Sequence, residues 1–337
     1  MTDTVETTAA AESAPARHLP AGFVRLLGLA VALVALCVIG LATAGGRFGS
    51  VDNLMTVLRL AAVIGVVSIG MTFVITGRGI DLSVGAIVAL ASVWATTTGT
   101  LALADSIGWP VIVFTALVVG AATGLVNGVL IAYGRIVPFI ATLAMLAGAR
   151  GLAEILSDKK TQIVTHQPFL RIFQADVLGI PVIVLIFALV AAGGWFLLNR
   201  TTFGRRTFAV GGNPEAARLA GIKVARHTVL LYVLAGLACG IAALMLMART
   251  TTGTSTHGSL YELDAIAAVV IGGTLLSGGR GTIVGTVLGV LIFTVLTNIF
   301  TLNNLSVSVQ SVAKFCIIIG AVLLQQHLAR RAERRRT

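Results

Sequence analysis

A chain built from repeated apolar runs of about 20 residues, with little charge inside them, has few folds open to it. Ten such segments stand here, near 23-44, 57-76, 82-103, 110-133, 137-156, 181-198, 228-248, 263-276, 283-301 and 309-325, divided by Gly, Pro and charge clusters. A hydrocarbon core about 30 Å thick takes roughly 20 apolar residues per helical crossing. Backbone N–H and C=O groups inside it need internal partners, so these runs are predicted to be helices. The expected fold class is all-α: a polytopic membrane protein with about ten transmembrane helices, solvated by the lipid bilayer. Of 337 residues, 57% are hydrophobic and 11% charged, which excludes a water-soluble domain of this length. The eighth segment is short and is expected to be a broken or re-entrant helix.

The first residues carry Asp3, Glu6 and Glu12 and lack the basic start of a signal peptide, so the run from Phe23 reads as a retained first span. The expected organisation is a disordered cytoplasmic tail over 1-22, a transmembrane domain over 23-327 and a basic cytoplasmic tail over 328-337. The net charge of +11 is scattered between apolar runs, not striped along a soluble face, so no nucleic-acid partner is expected. It follows membrane topology instead. With ten spans and both termini in the cytoplasm, sixteen Lys and Arg lie inside and six outside, as the positive-inside rule requires. The loop 199-227 divides five spans from five, and five is odd, so the halves would have opposite orientation. That is the arithmetic of an inverted pseudo-repeat. The loop 157-180, with Asp158, Lys159, Lys160, His166 and Asp176, is polar enough to receive a soluble partner on the outside.

No Gly-x-x-x-x-Gly-Lys-Ser/Thr phosphate loop is present, and Cys37, Cys239 and Cys316 lack metal-ligand spacing. No cofactor and no metal are therefore expected in the chain itself, nor any catalytic residue. Energy has to come from a partner or from an ion gradient. Carboxylates gather near span ends and not at mid-span, which argues against a proton-driven carrier.

Three clusters carry the remaining signal. The first runs from Gly77 through Asp81 and Ser83 to Gly85, where glycines make a turn and Asp81 is placed to cap the next helix. A structural cap and a place on a solute path are both open for it. In the second, Asn213 suits a helix N-cap, Pro214 the first helical position, Glu215 the positive end and Gly221 the stop. A helix of about two turns is predicted there, with Ala216 and Ala217 on its surface and Arg218 beside them, suited to docking in a groove of another protein. The third spans 261–281, where Glu262 and Asp264 sit at the outer end of the short segment, either meeting a polar solute or capping the helix. Within spans, Arg150 and Glu154 are four apart on one helix face and are expected to form an internal charge pair. Lys314 is placed to snorkel to an interface. Asn127 and Asn298 suit hydrogen bonds to solute hydroxyls on a pathway, or polar contacts between helices.

Together the clusters Ile80-Asp81-Leu82-Ser83-Val84-Gly85, Gly211-Gly212-Asn213 through Glu215-Ala216-Ala217, and residues 261–273 resemble the ribose-type ABC permease family, the membrane subunits of bacterial monosaccharide importers. The similarity runs from about residue 50 to 325. The resemblance implies a bacterial inner-membrane homodimer, two copies of a cytoplasmic ABC ATPase that binds ATP-Mg, and an extracytoplasmic sugar-binding protein. By the same resemblance the segment from Asn213 to Gly221 looks like the coupling helix. One departure is Gly77-Arg78-Gly79-Ile80-Asp81, where family members commonly carry Gly-Gly-Ile-Asp. The runner-up from another class is a self-contained, ion-coupled secondary transporter.

Overall fold

The computed structural model describes residues 21–317, 319 and 320, so both expected tails, except residues 21 and 22, and the end of the tenth segment lie outside the described residues. The described residues are mostly helical. In order the chain forms α1 (Ala21–Ala44), α2 (Val51–Thr76), α3 (Val84–Ala95), α4 (Thr98–Ile107), α5 (Pro110–Ala132), α6 (Pro138–Ser157) and α7 (Gln167–Phe173). There follow α8 (Val182–Arg200), α9 (Thr202–Gly212), α10 (Pro214–Leu219), α11 (Val224–Thr250), α12 (Tyr261–Ile271), α13 (Ile283–Leu302) and α14 (Val307–Ile317). Among the described residues, seven helices are long and apolar enough to cross a membrane, and α3 with α4 makes an eighth if the bent pair is one span.

Burial orders the helices. The apolar window of α2 is 78% buried and that of α1 only 6%, so α2 stands at the centre and α1 at the rim. α11, also largely buried, packs against α2 on one side and α5 on the other. The α5–α11 seam is closed by glycine: Gly120, Gly124 and Gly128 recur every fourth residue and meet Gly236, Tyr232 and Val229 backbone to backbone. Small residues at this spacing let helices approach and gain dispersion contact where lipid offers no hydrophobic drive.

Two departures from the sequence reading have local causes. The expected third span breaks after Ala95 and turns by 59° into α4. Thr96 turns its hydroxyl back onto the Ser92 and Val93 carbonyls, and Thr97 caps α4 by accepting from Thr100 N–H. Threonine hydroxyls compete with the helix ladder in this way. The second span begins six residues early because Ser50 caps α2, accepting from Asn53 N–H at 3.2 Å.

The loops collect at two ends. At one, Gly279 N–H donates to Thr76 O at 2.9 Å and Arg25 donates to Gly273 O at 2.6 Å, joining the turns after α2 and α12 to the start of α1. α9 and α10 lie at this end, Gly211 touching Thr76 O. At the other end, β1 (Gln162–Ile163) pairs antiparallel with β4 (Thr252–Gly253). Nearby β2 (Asp176–Val177) and β3 (Ile180–Pro181) form a hairpin, while α7 packs its Phe173 ring on Trp109.

Candidate functional site

The break between α2 and α3 sets the depth of everything around it. α3 has 12 residues, and at a rise of about 1.5 Å per residue it reaches only about 18 Å, little more than half of the hydrocarbon thickness. Its C-terminus lies at the β1–β4 end, where Thr96 Oγ1 lies 2.7 Å from the Gln162 side-chain amide. Its N-terminus is therefore near mid-depth. α12 starts at the same level: Gly85, in the first turn of α3, abuts Gly258 O and the Glu262 carboxylate, and a methyl there would overlap both. α12 then runs toward the opposite end, where Gly273, two residues past its last, meets Arg25. Two half-helices thus begin side by side in the middle of the bundle, their positive dipole ends adjacent.

Three expected pathway residues meet at this junction. Asp81 Oδ1 accepts from the Ser83 amide at 2.9 Å and the Ser83 hydroxyl at 2.6 Å. Ser83 Oγ in turn accepts from Asn127 Nδ2 on α5 at 2.8 Å. The Tyr232 hydroxyl ties the preceding Ile80 carbonyl to α11 at 3.1 Å. Asp81 therefore makes a side-chain turn one step before the helix and does not cap its interior N–H groups. None of the three residues is exposed, so in this conformation they brace the junction and do not line an open path.

The charges beside the junction are arranged otherwise than spacing suggested. Arg150 is not ion-paired with Glu154 among the described residues. Its guanidinium donates to the carbonyls of Ser255 and His257, the latter at 2.8 Å, and so pins the 254–260 loop. Unsatisfied carbonyls of an irregular segment at depth are stronger claimants than a half-exposed glutamate one turn away. Lys314 does not snorkel away: its ammonium sits 3.3 Å from both Asp264 oxygens and 5.0 Å from the centre of the Phe293 ring. Glu262 has no ion-pair partner among the described residues. A charge at the bilayer centre costs about 2.5 to 3.5 kcal/mol on insertion scales, which restricts such groups to paired or water-facing positions.

Asn298 lies apart from this cluster. It exchanges two hydrogen bonds with Asn53, at 2.8 and 3.1 Å, clamping α13 to the start of α2. Asn298→Leu is expected to lower the unfolding free energy of the solubilised protein by about 1 kcal/mol. Because each single change strands the partner amide, the Asn53→Leu, Asn298→Leu double variant should recover part of that loss. Denaturant titration of the three variants reads this directly, and equal stability throughout would remove the clamp.

At the α9–α10 end the predicted helix is present. Asn213 caps it by accepting from Ala216 N–H at 3.0 Å, Pro214 holds the first position, and Gly221 follows with a φ of +81°. Glu215 and Arg218 pair at 3.0 Å on the surface. Ala217, expected on that surface, is buried, whereas Ala216 is exposed. Leu219, which sequence reasoning passed over, is 84% exposed at the helix tip. Beside it opens a groove of about 370 Å³ lined by Arg206, Lys223 and Arg226.

A buried centre, glycine-sealed helices and an exposed capped connector fit a transport subunit, and comparison with known proteins decides the family. The family described as the permease component of the branched-chain amino acid transport system matches residues 53–324. The chain belongs to that family. The permease is 44% identical over 280 residues to the ribose import permease protein RbsC of Bacillus subtilis (strain 168), covering 81% of its own length and 84% of that protein. It is 38% identical over 298 residues to RbsC of Escherichia coli (strain K12), with coverage of 87% and 91%. To the xylose transport system permease protein XylH of the same strain it is 33% identical over 365 residues, covering 89% and 91%. No solved structure matches it. The protein is accordingly an ABC-type permease, a transport subunit and not an enzyme.

Proposed function

We propose that the permease carries a monosaccharide, a ribose-like pentose, a hexose or a related polar solute, across the bacterial cytoplasmic membrane. Two copies form the channel, a cytoplasmic ABC ATPase with bound ATP-Mg drives it, and an extracytoplasmic binding protein delivers the solute. The observation that carries this reading is the match along more than four-fifths of the chain to permeases named for ribose and xylose.

Ten crossings with both termini cytoplasmic, arranged as five plus five, account best for the topology. Support comes from the two half-helices: α3 follows an irregular segment entering from one end, and α12 follows one entering from the other. That is the relation an inverted repeat demands. Positive-inside orientation puts α10 in the cytoplasm, where its capped tip would seat in the ATPase. The residues Asn213 to Gly221 then transmit closure of the ATPase pair into a switch between inward and outward access. Asp81, Ser83 and Asn127 act as the brace about which α3 moves, and Glu262 and Asp264 face the path.

The reading is tested by reconstituting the permease in liposomes with a partner ABC ATPase and an extracytoplasmic binding protein. Uptake of radiolabelled ribose or xylose is expected only with ATP and all three components. Uptake by the permease alone, driven by an ion gradient, would assign it to the secondary transporters instead.

A further inference from the structure

The Asp264–Lys314 pair stands where a lipid-facing surface cannot hold it. α12 begins near mid-depth, so Asp264, in its first turn, is far from either interface. Yet the pair is not sealed inside: the Lys314 and Asp264 side chains remain 24% and 23% exposed. They open onto a cleft of about 350 Å³ between α12 and α14, walled by Leu263, Val307 and Phe315 with Gln310 and Ser311 among them. Charges at this depth turn toward water-filled space or another protein, not toward acyl chains.

We infer that this cleft is a wall of the solute path and that Asp264 and Lys314 contact the solute within it. The inference rests on the permease reading and deepens it by naming a site. The chemistry suits a neutral polyhydroxylated ring. Such a solute presents C–H faces to Leu263 and Phe315, and its hydroxyls can donate to Asp264 and accept from Lys314. The ion pair has net charge zero, so it offers strong directional partners without attracting ions. The volume falls in the range of small-molecule pockets, roughly 300 to 1,000 Å³. The neighbouring N-termini of α3 and α12 add partial positive charge at the same level.

The test has an accessibility arm and a transport arm, both in the complete transporter. With Cys37 and Cys316 changed to serine and buried Cys239 kept, Leu263→Cys and Leu189→Cys are compared for reaction with a charged, membrane-impermeant methanethiosulfonate. Leu189 is exposed on α8, away from the cleft. Cysteine at 263 is expected to react much faster than at 189 and to be protected by transported sugar. Equal unreactivity of the two, meaning lipid or a second copy covers the cleft, overturns the inference.

Asp264→Asn and Lys314→Met are each expected to reduce uptake about tenfold, as loss of a charged hydrogen-bond partner does, with ATPase co-purification unchanged. In the reversed pair Asp264→Lys, Lys314→Asp, the apparent KM for sugar is expected to rise. Wild-type uptake and KM in the reversed pair would make the bridge structural and overturn the contact. The parent transporter separates the two levels of claim. If it moves no sugar, the proposed function fails; if it does and position 263 stays dry, only this site fails.

Discussion

Valine at position 124 is expected to leave almost no folded permease in the membrane. Gly124 lies against the Tyr232 carbonyl of α11, so that a Cβ there would occupy the space of the carbonyl oxygen. The obstacle is backbone on both sides and cannot rotate away as a side chain would. α11 cannot retreat either, because α2 packs on its other side. Overpacking a tight site costs about 1 to 3 kcal/mol and sometimes more. At a helix seam whose obstacle is backbone on both sides, the cost exceeds that usual range and reaches about 5 kcal/mol, the lower end of a typical protein's whole stability. Gly148 on α6 is the matched control, since a Cβ there meets nothing within 4 Å. Gly148→Val should accumulate like the parent in size-exclusion profiles of the solubilised protein while Gly124→Val vanishes from the monodisperse peak. Equal peaks would mean the seam is looser than its geometry requires.

Legibility in the sequence tracked how local each feature is. The long apolar helices could be read because hydropathy alone decides them, and α10 could be read because its cap, proline and glycine stop act within nine residues. The partner of Arg150 could not. Spacing offered Glu154 one turn away, but the guanidinium satisfies carbonyls more than a hundred residues on in sequence. The same holds for Asn298 and Asn53, and for Lys314 and Asp264, whose partners are chosen by the packing of distant helices. The depth of the 254–260 loop was hidden for another reason. Ser, Thr and His are residues that ordinarily face water in loops, yet Gly85 and Arg150 hold this segment inside the bundle. At α10 the cap was legible but the outward face was not, since which alanine points in depends on how the short helix leans on its neighbours.

That face fixes the second large effect, at Leu219. An apolar side chain this exposed on the tip of a capped helix has no role in holding the permease together, because it touches little of it. If α10 is the part that enters the ATPase, Leu219 is its anchor, and burying it contributes about 1.5 to 3 kcal/mol to the joint. Aspartate at 219 loses that term and adds the cost of desolvating a charge, so ATPase affinity should fall by at least about a hundredfold. Uptake is then expected at background while expression, insertion and thermal stability match the parent. Glu215→Gln should be far milder, since it removes only an exposed pair with Arg218, worth about 0 to 1 kcal/mol. Ala217→Leu should act differently from both: its site is buried, so the connector itself is displaced and stability falls along with uptake. Co-purification of the ATPase separates the three. Retention of full uptake and normal ATPase binding by Leu219→Asp would take energy coupling away from this helix and move it to the basic groove beside it, lined by Arg206, Lys223 and Arg226.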